Sequence, residues 1–184
     1  MDVGICIMAG GKSSRMGMDK NCIKNIEGKT FLQLKIEEMF PFKYRYLSIN
    51  DSQNFNANGY ENVTDVIKDA GPLGGIYSVL CAMKTDACLF VASDMPFYDY
   101  EEAVSIINSY EGQSVFMAKT KDGLQPLASI YSKTCIPYIK QLIDSKSFRI
   151  RKLYELADDA SDYYSTRDKC YVNVNTVDEL NRIK

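Results

Sequence analysis

Short apolar runs alternate with amphipathic stretches along the first two thirds of the chain. The runs have strand length and several end at Gly, Asn or Asp, while the stretches between them carry apolar residues at helical spacing. The runs predict strands at Val3–Met8, Arg45–Asn50, Glu61–Thr64, Cys88–Ser93, Ser114–Ala118 and Leu127–Tyr131. The amphipathic stretches predict helices at Phe31–Met39, Leu73–Met83, Tyr100–Ser109, Cys135–Ile143 and Val177–Ile183. Such alternation is typical of an α/β fold with a mostly parallel central sheet and helices on both faces.

Length, charge and cysteine usage narrow the class of protein. A chain of 184 residues can bury a substantial core as one domain, without metal or disulfide support. The net charge is −2 with acids and bases interspersed, so no basic region indicates binding to nucleic acid or to a membrane surface. The six cysteines lack a Cys-x-x-Cys pair, which favours core positions in a reducing cytoplasm over a zinc site or disulfides. The N-terminus lacks the features of a signal peptide, so we expect a single cytoplasmic domain over 1–184.

The sequence contains no histidine. This excludes serine–histidine and cysteine–histidine catalysis, and it excludes an imidazole as general base or metal ligand. Catalysis must then rest on carboxylates, cations and a bound metal. Phosphoryl and nucleotidyl transfer can use that set, because the protein's task there is mostly positioning and charge stabilisation.

Small, amide and acidic residues follow four of the predicted strands. They are Gly10 and Gly11 after the first strand, Asn50 and Asp51 after the second, Asp65 after Glu61–Thr64, and Asp94 after Cys88–Ser93. In an open α/β sheet, ligands bind beyond the carboxyl ends of the strands. Each residue alone is also common in ordinary turns, but together they predict a site for a nucleotide with magnesium.

The loop after the first strand carries glycines and cations. Its glycines allow backbone N–H groups to approach phosphate oxygens, and Arg15 and Lys20 add positive charge at two separate points. A Walker phosphate loop requires a glycine five positions before Gly11, where this chain has Cys6. The glycine spacing of a dinucleotide-binding fingerprint is absent as well. The loop therefore indicates a polyphosphate site of another kind.

The string Met8–Lys20 resembles the signature loop of the molybdenum cofactor guanylyltransferase family, Leu-Ala-Gly-Gly-x-Ser-x-Arg-Met-Gly-x-Asp-Lys, and departs from it only at Met8. Further segments resemble family elements in the same order along the chain. These are Gly71–Ile76 (Gly-Pro-Leu-x-Gly-Ile), Ser93–Phe97 (Cys-Asp-x-Pro-Phe, with Ser93 for Cys), Gln125–Leu127 (Gln-Pro-Leu) and Asn173–Leu180 (Asn-Val-Asn-Thr-Pro-Glu-Glu-Leu, with Val177 for Pro). The resemblance spans Ile5 to Leu180 and implies a Rossmann-like nucleotidyltransferase fold.

The resemblance also implies roles for individual residues. It implies catalytic roles for Lys20, Arg15 and Asp94, with Asp94 as the Mg²⁺ ligand. It implies nucleotide contacts from Met8, Ala9, Gly10, Gly11, Lys20, Asn50, Asp65 and Asp94, and acceptor contacts from Gln125, Asn173 and Asn175. Simpler roles stay open: Asp94 as a turn residue, Asn175 as a helix cap, and Asp69 in place of Asp65. Arg149 and Arg151 would meet the acceptor's phosphate or form a solvated helix face.

The implied reaction is transfer of GMP from Mg-GTP to the phosphate of molybdenum-bound molybdopterin, with release of pyrophosphate. The N-terminal part would bind nucleotide and the C-terminal part the acceptor, and the product would pass to apo-molybdoenzymes or their chaperones. A cytidylyltransferase or a sugar-phosphate nucleotidyltransferase is the nearer alternative, although these usually carry Ala-Ala-Gly where this chain has Ala9-Gly10-Gly11. A non-catalytic nucleotide-binding domain is the more distant one.

Overall fold

The computed structural model of the protein describes residues 2–10, 28–50, 55, 57–174 and 179. The described strands are β1 (Val3–Met8), β2 (Arg45–Ile49), β3 (Glu61–Thr64), β4 (Ala87–Ala92), β5 (Val115–Thr120), β6 (Gly123–Ser132) and β7 (Ser161–Tyr164). The described helices are α1 (Phe31–Glu38), α2 (Pro72–Ala82), α3 (Tyr100–Asn108), α4 (Ile136–Asp144) and α5 (Arg151–Leu156). None of the helices in these ranges is long and apolar enough to cross a membrane.

The seven strands form one sheet in the order β3-β2-β1-β4-β6-β5-β7. Neighbouring strands pair in parallel throughout, except that β6 is antiparallel to both β4 and β5. The carboxyl ends of β1, β2, β3 and β4 consequently lie along the same edge. The predicted α/β class with a mostly parallel sheet is confirmed.

Each face of the sheet carries its own hydrophobic core. Ile5 and Ile7 of β1 pack with residues of α1 and α3 on one face, whereas Cys6 and Met8 pack with residues of α2, α4 and α5 on the other. This follows from the two-residue period of a strand, which sends successive side chains to opposite faces. A strand that is covered on both faces has an almost continuous apolar sequence, as Val3–Met8 does.

Three helices begin at defined capping signals that fix the loops leading into them. Thr30 and Gln33 form a reciprocal capping box at the start of α1, at 3.1 and 2.9 Å. At α2, Gly71 adopts a φ of 58° and Pro72 opens the helix. At α3, a side-chain oxygen of Asp99 accepts a hydrogen bond from the Glu102 amide at 2.9 Å.

The predicted elements agree with the structure within one or two residues at most ends. No bounds were predicted for α5 (Arg151–Leu156), and three further differences concern β7, β6 and one cysteine. The strand β7 was missed because Ser161–Tyr164 is polar and only half-buried, without an apolar run. The strand predicted at Leu127–Tyr131 extends over Gly123–Ser132, so Gln125 lies within β6 and not before it. Cys81 is exposed rather than in the core, unlike the other described cysteines. Of the helix predicted at Val177–Ile183, only Glu179 lies within the described residues, and it is helical.

Candidate active site

A first cleft opens at the carboxyl ends of β1, β2 and β3. It has a volume of about 240 Å³ and is lined by Met8, Gly10, Ser48, Asn50, Asp65, Asp69, Gly71, Pro72 and Gly75. These residues come from the ends of three parallel strands and from the start of α2. Both charged side chains in this lining are carboxylates, and most of the other positions are small or polar.

Close packing at Gly75 and Gly10 keeps the first cleft open. A Cβ atom on Gly75 would lie 2.7 Å from Ser48 Oγ and 2.8 Å from the Met8 methyl group. A Cβ atom on Gly10 would lie 3.0 Å from Asn50 Oδ1. Larger residues at these two positions would force the neighbouring side chains, which line the cleft, to shift. The glycines therefore bring α2 and the turn after β1 close to the end of β2.

The loop between β3 and α2 is fixed by a buried hydroxyl. Ser78 Oγ accepts a hydrogen bond from the Val66 amide at 2.9 Å and donates one to the Gly74 carbonyl at 2.7 Å. Asp69, farther along the loop, has a φ of 61°, a left-handed conformation that Asp tolerates better than most residues. Asp65 and Asp69, the two alternatives for the nucleotide contact, both line the first cleft.

A second cleft lies beside the first, and Pro72 contributes to both linings. It has a volume of about 490 Å³ and is lined by Pro72, Asp94, Met95, Leu124, Gln125, Pro126, Leu127, Phe148, Arg149, Ile150, Arg151 and Asn173. These residues come from the loop after β4, the first half of β6, the start of α5 and the C-terminal segment. Unlike the first cleft, it combines apolar walls with two arginines and one carboxylate.

Backbone and side-chain hydrogen bonds hold the separate parts of the second cleft together. The Val174 amide donates to the Asp94 carbonyl at 2.8 Å, which brings Asn173 beside the loop that follows β4. On the other wall, Arg151 Nη2 donates to the Leu124 carbonyl at 3.0 Å and so ties the start of α5 to β6. Gln125 Nε2 donates to Thr120 Oγ1 at 3.1 Å within the β5–β6 hairpin.

An irregularity in β6 shapes the floor of the second cleft. Phe116 pairs with Ile130 but Ala118 pairs with Gln125, so extra residues of β6 bulge out of the ladder. Ser129 Oγ fills the gap, because it accepts from the Ala118 amide at 3.0 Å and donates to the Gln125 carbonyl at 2.6 Å. Pro126, which has no N–H group to donate, lies in this bulge.

A charge cluster made of the partly exposed Arg167 and Asp99 and the fully buried Glu102 anchors the C-terminal segment to α3. Arg167 Nη1 donates to Asp99 Oδ1 at 2.8 Å, and it also lies 3.5 Å from an oxygen of the fully buried Glu102. The Tyr171 hydroxyl donates to the other Glu102 oxygen at 2.6 Å. Burial acts to raise the pKa of Asp99, but hydrogen bonds from Arg167 and the Glu102 amide lower it overall. The cluster holds residues 167–171 against α3, and Asn173 follows two residues later.

The predicted site residues divide between the two clefts. Met8, Gly10, Asn50 and Asp65 line the first, and Asp94, Gln125 and Asn173 line the second. Ala9 is buried beneath the first cleft, where its amide donates to the Ser48 carbonyl at 2.9 Å. The remaining predictions, Gly11, Arg15, Lys20 and Asn175, lie outside the described residues.

Sequence reasoning missed several residues of the two linings. Ser48 was detectable in principle, because it lies two positions before Asn50 in a strand and so faces the same side. Phe148 and the apolar residues around it carried no signal, since their role depends on the packing of α5 against β6. The sequence left two interpretations open for Arg149 and Arg151, acceptor binding or a solvated helix face. The structure places both in the lining of the second cleft.

A family model described as the MobA-like NTP transferase domain matches residues 5–161 of this chain. The chain belongs to this family. The resemblance that the glycine-rich string predicts is thereby confirmed, and the protein is a nucleotidyltransferase. The match runs from Ile5, within β1, to Ser161, the first residue of β7.

Relatives of similar length extend the family match over nearly the whole chain. A protein from Clostridium perfringens (strain 13 / Type A) named "Probable molybdenum cofactor guanylyltransferase" is 30% identical over 94% of this chain and 91% of its own length. A protein of the same name from Flavobacterium johnsoniae is 30% identical over 95% of this chain and 93% of its own.

A solved structure supports the fold of the family in this chain. The crystal structure of molybdopterin-guanine dinucleotide biosynthesis protein A from Archaeoglobus fulgidus superposes with a TM-score of 0.80. It covers 98% of this chain and 96% of its own, at 21% sequence identity. At that identity the likeness concerns the fold alone.

Proposed function

We propose that the protein transfers GMP from Mg-GTP to the phosphate of molybdenum-bound molybdopterin, releasing pyrophosphate and forming the guanine dinucleotide cofactor. The observation that carries this proposal is the pair of adjoining clefts at the carboxyl ends of the parallel strands, with Pro72 in both linings. A transfer between two substrates requires two such neighbouring sites. The names of the relatives, which are similar over more than nine tenths of the chain, supply the two substrates.

The first cleft is proposed to bind the nucleotide. Met8, Ala9 and Gly10 form the start of the turn, and the glycines permit backbone groups to lie against the ligand. Asn50 and Asp65 provide an amide and a carboxylate that can hydrogen-bond to the nucleoside. Gly11, Arg15 and Lys20 continue from this turn in sequence, and we assign to the two cations the charge of the α-phosphate and of the departing pyrophosphate.

A divalent metal fits the chemistry of Asp94, the one carboxylate in the described lining of the second cleft. Within the described ranges, no group of three or more His, Cys, Asp or Glu side chains could hold a metal by itself. Mg²⁺ does not need such a group, because it is commonly held by one or two carboxylates with phosphate and water oxygens. We propose that Asp94 is the carboxylate that would hold Mg²⁺. When bound there, the ion would neutralise phosphate charge during the transfer.

The second cleft is proposed to bind the acceptor, with Gln125, Asn173 and Asn175 as contacts. An oxygen of the acceptor's phosphate forms a new bond to the α-phosphorus of GTP as the bond between that phosphorus and the leaving oxygen breaks. Pyrophosphate departs with the bonding electrons. The attacking phosphate is already ionised at neutral pH, so no general base is required, which is consistent with a sequence that lacks histidine.

We further propose that the reaction takes place in the cytoplasm and that the product passes to apo-molybdoenzymes or their chaperones. The five described cysteines are all free, as expected for a reducing compartment. Direct transfer to a protein would protect a labile product.

Pyrophosphate release in the presence of molybdenum-bound molybdopterin tests the proposal directly. We expect release with Mg²⁺ and GTP, and a dinucleotide product detectable by mass spectrometry, while CTP and ATP give little of either. Omission of the acceptor should abolish both signals. Preference for CTP would assign the chain to cytidylyl transfer, and binding of nucleotide without any pyrophosphate release would contradict an enzymatic role.

A further inference from the structure

We propose that Ser78 is a positioning residue for nucleotide binding, because its hydroxyl fixes the orientation of Asp65 in the first cleft. Ser78 does not line that cleft and lies outside the sequence segments that indicate a ligand contact. The inference rests on the proposed function, since it takes the first cleft to be the nucleotide site. It deepens that assignment by naming the side chain that holds the loop between β3 and α2 in place.

The loop formed by residues 65–70 has few contacts of its own that could hold it in one conformation. It joins β3 to α2 and lies outside the strands and helices. The Val66 side chain is 68% exposed, and of the six side chains only that of Ala70 is buried. A segment that buries so little apolar surface depends on hydrogen bonds for a defined conformation.

Ser78 supplies such a hydrogen bond directly beside Asp65. Its buried Oγ accepts from the Val66 amide at 2.9 Å and donates to the Gly74 carbonyl at 2.7 Å. A serine hydroxyl has one proton, so donation to Gly74 leaves its lone pairs to accept an N–H group. The bond to the preceding turn of α2 also restrains the Ser78 side chain. The acceptor for the Val66 amide is therefore held by the helix itself.

The bond acts on Asp65 because the Val66 N–H group belongs to the planar peptide unit that joins Asp65 to Val66. Residue 64 is the last residue of β3, so the sheet fixes the backbone that precedes Asp65. Holding the next peptide plane then restrains the ψ angle of Asp65. The carboxylate consequently leaves the backbone in one direction, into the lining of the first cleft.

Helix α2 also packs closely against the same loop. A Cβ atom on Gly74 would lie 2.9 Å from the Ile67 carbonyl oxygen, and one on Gly75 would lie 3.3 Å from Asp65 Oδ1. Gly74 and Ser78 are four residues apart and so lie on one face of α2. The glycines allow the close approach, and the hydroxyl supplies the polar contact that selects one position of the loop.

The test measures the Kd for Mg-GTP of wild type and Ser78→Ala by calorimetric titration. The variant removes the acceptor of the Val66 amide. We expect the Kd to rise about 5- to 30-fold, because Asp65 is no longer held in the orientation that binds nucleotide. In steady-state turnover, the KM for GTP should rise while kcat at saturating GTP stays the same. Ser78→Cys should give an intermediate Kd, because a thiol is a weaker donor and acceptor than a hydroxyl.

A double-mutant cycle determines whether Ser78 acts through Asp65. The cycle compares wild type, Ser78→Ala, Asp65→Ala and the double variant by their Kd for Mg-GTP. If the hydroxyl serves to orient the carboxylate, Ser78→Ala should raise the Kd of the Asp65→Ala protein by no more than about twofold. A hydroxyl with a purely structural role would raise the Kd by the same factor in both backgrounds.

Ser105→Ala is the matched control on α3. Ser105 Oγ donates to the Glu101 carbonyl at 2.8 Å, the same four-residue spacing as the bond from Ser78 to Gly74. It lies on an exposed face and does not line the first cleft. The variant thus removes an equivalent bond within a helix but leaves the loop after β3 untouched. Its Kd for Mg-GTP should equal that of wild type.

The outcomes distinguish this inference from the proposed function. If wild type and Ser78→Ala bind Mg-GTP equally well, or if the cycle is additive, the inference is wrong and the function stands. If Ser78→Ala weakens GTP binding through Asp65 but wild type forms no dinucleotide, the guanylyltransferase proposal is wrong and the positioning role stands. If wild type does not bind Mg-GTP, both are overturned.

Discussion

The two clefts of this protein lie side by side but are built in different ways. The first consists of strand ends and the turns that follow them, together with the start of α2, so its residues fall into a few short stretches of sequence. The second joins four segments between Asp94 and Asn173 that meet only in the folded chain. Pairing of three parallel strands is enough to bring the first together, whereas the second depends on a bulged strand, a short helix and a C-terminal segment held by hydrogen bonds. The residues of the first cleft therefore follow from the ends of successive strands, whereas the second cleft needs the folded chain to bring its segments together.

The clefts also differ in chemistry. Glycines, an amide and two carboxylates line the first, while arginines and apolar walls line the second. Substitutions in the first should act mainly on nucleotide binding, and substitutions around the second mainly on the acceptor. Asp94 is the exception, because its proposed metal would serve both substrates.

Replacing Asp94 should therefore have the largest effect of all. For Asp94→Asn we expect the turnover rate to fall by about two to three powers of ten, because the charge that would hold Mg²⁺ is lost while side-chain volume is kept. The backbone carbonyl that accepts from the Val174 amide is unchanged, so the fold should persist. Pyrophosphate release at saturating GTP and Mg²⁺ measures the effect. Asp86→Asn, at the exposed opposite end of the same strand, is the control. Full activity in Asp94→Asn would refute the metal assignment.

Gly75→Ala should damage the first cleft and spare the second. The added methyl group would lie 2.7 Å from Ser48 Oγ and 2.8 Å from the Met8 methyl group, so these two side chains of the cleft lining must shift. We expect the Kd for GTP to rise at least tenfold, corresponding to about 1–3 kcal/mol of overpacking. Calorimetric titration with Mg-GTP measures it, with Cys81→Ala on the exposed face of α2 as the control. An unchanged affinity would show that the nucleotide does not depend on this close packing.

Tyr171→Phe should disturb the second cleft and leave the first unchanged. The variant keeps the edge-to-face ring contact with Tyr98 but removes the donor to the buried Glu102 oxygen. Leaving a buried acceptor without this partner should lower the free energy of unfolding by about 1–3 kcal/mol, as measured in urea. The acceptor KM should rise because Asn173 is less firmly placed, with the Kd for GTP unaltered. Tyr164→Phe, 58% exposed on β7, is expected to change stability by less than about 0.5 kcal/mol. Equal stabilities for the two variants would contradict a role for the charge cluster.

The smallest expected effect concerns Lys35, which is almost fully buried behind the loop that follows Asp94. Its ammonium group donates to the Tyr98 carbonyl. Burial lowers its pKa to about 8, although Glu38 and Asp99 oppose the shift. An unfolded lysine titrates near about 10.4, so between these values the unfolded chain binds more protons and stability rises with pH. Below pH 8 both states hold the proton and the cost of the buried charge is fully present.

The measurement compares wild type with Lys35→Met in urea at several pH values. Between pH 7 and pH 9, the free energy of unfolding should rise by about 1 kcal/mol more in wild type than in Lys35→Met. Titration of cysteines and tyrosines cancels in the difference, because both proteins contain them. Lys84→Met, at a site with a 72% exposed side chain, controls for the loss of a lysine. If the difference in free energy of unfolding between the two proteins does not change with pH, the pKa of Lys35 is not lowered in the folded protein.

Much of the fold could be predicted from the sequence, because strands covered on both faces must be apolar throughout. The bounds of β1 and β3 were predicted without error, and α1 and α3 within one residue. The parallel strands predicted an edge where Gly10, Asn50, Asp65 and Asp94 should meet. Gly10, Asn50 and Asp65 do line the first cleft, whereas Asp94 lines the second. In contrast, β7 could not be predicted, since Ser161–Tyr164 has neither an apolar run nor clear alternation, and only pairing with β5 makes it a strand.

By itself, the sequence determined the fold class and the family and predicted much of the first cleft, because these are read from local patterns: strand periodicity, glycine-rich turns and the residues that follow parallel strands. Backbone N–H groups, glycine conformations and strand periodicity act over a few residues. Only the tertiary structure decided that β6 runs antiparallel, that Asn173 lies beside Asp94, and that Arg149 and Arg151 line the same cleft. Those arrangements depend on contacts between segments tens of residues apart, for which a single sequence carries no local signal.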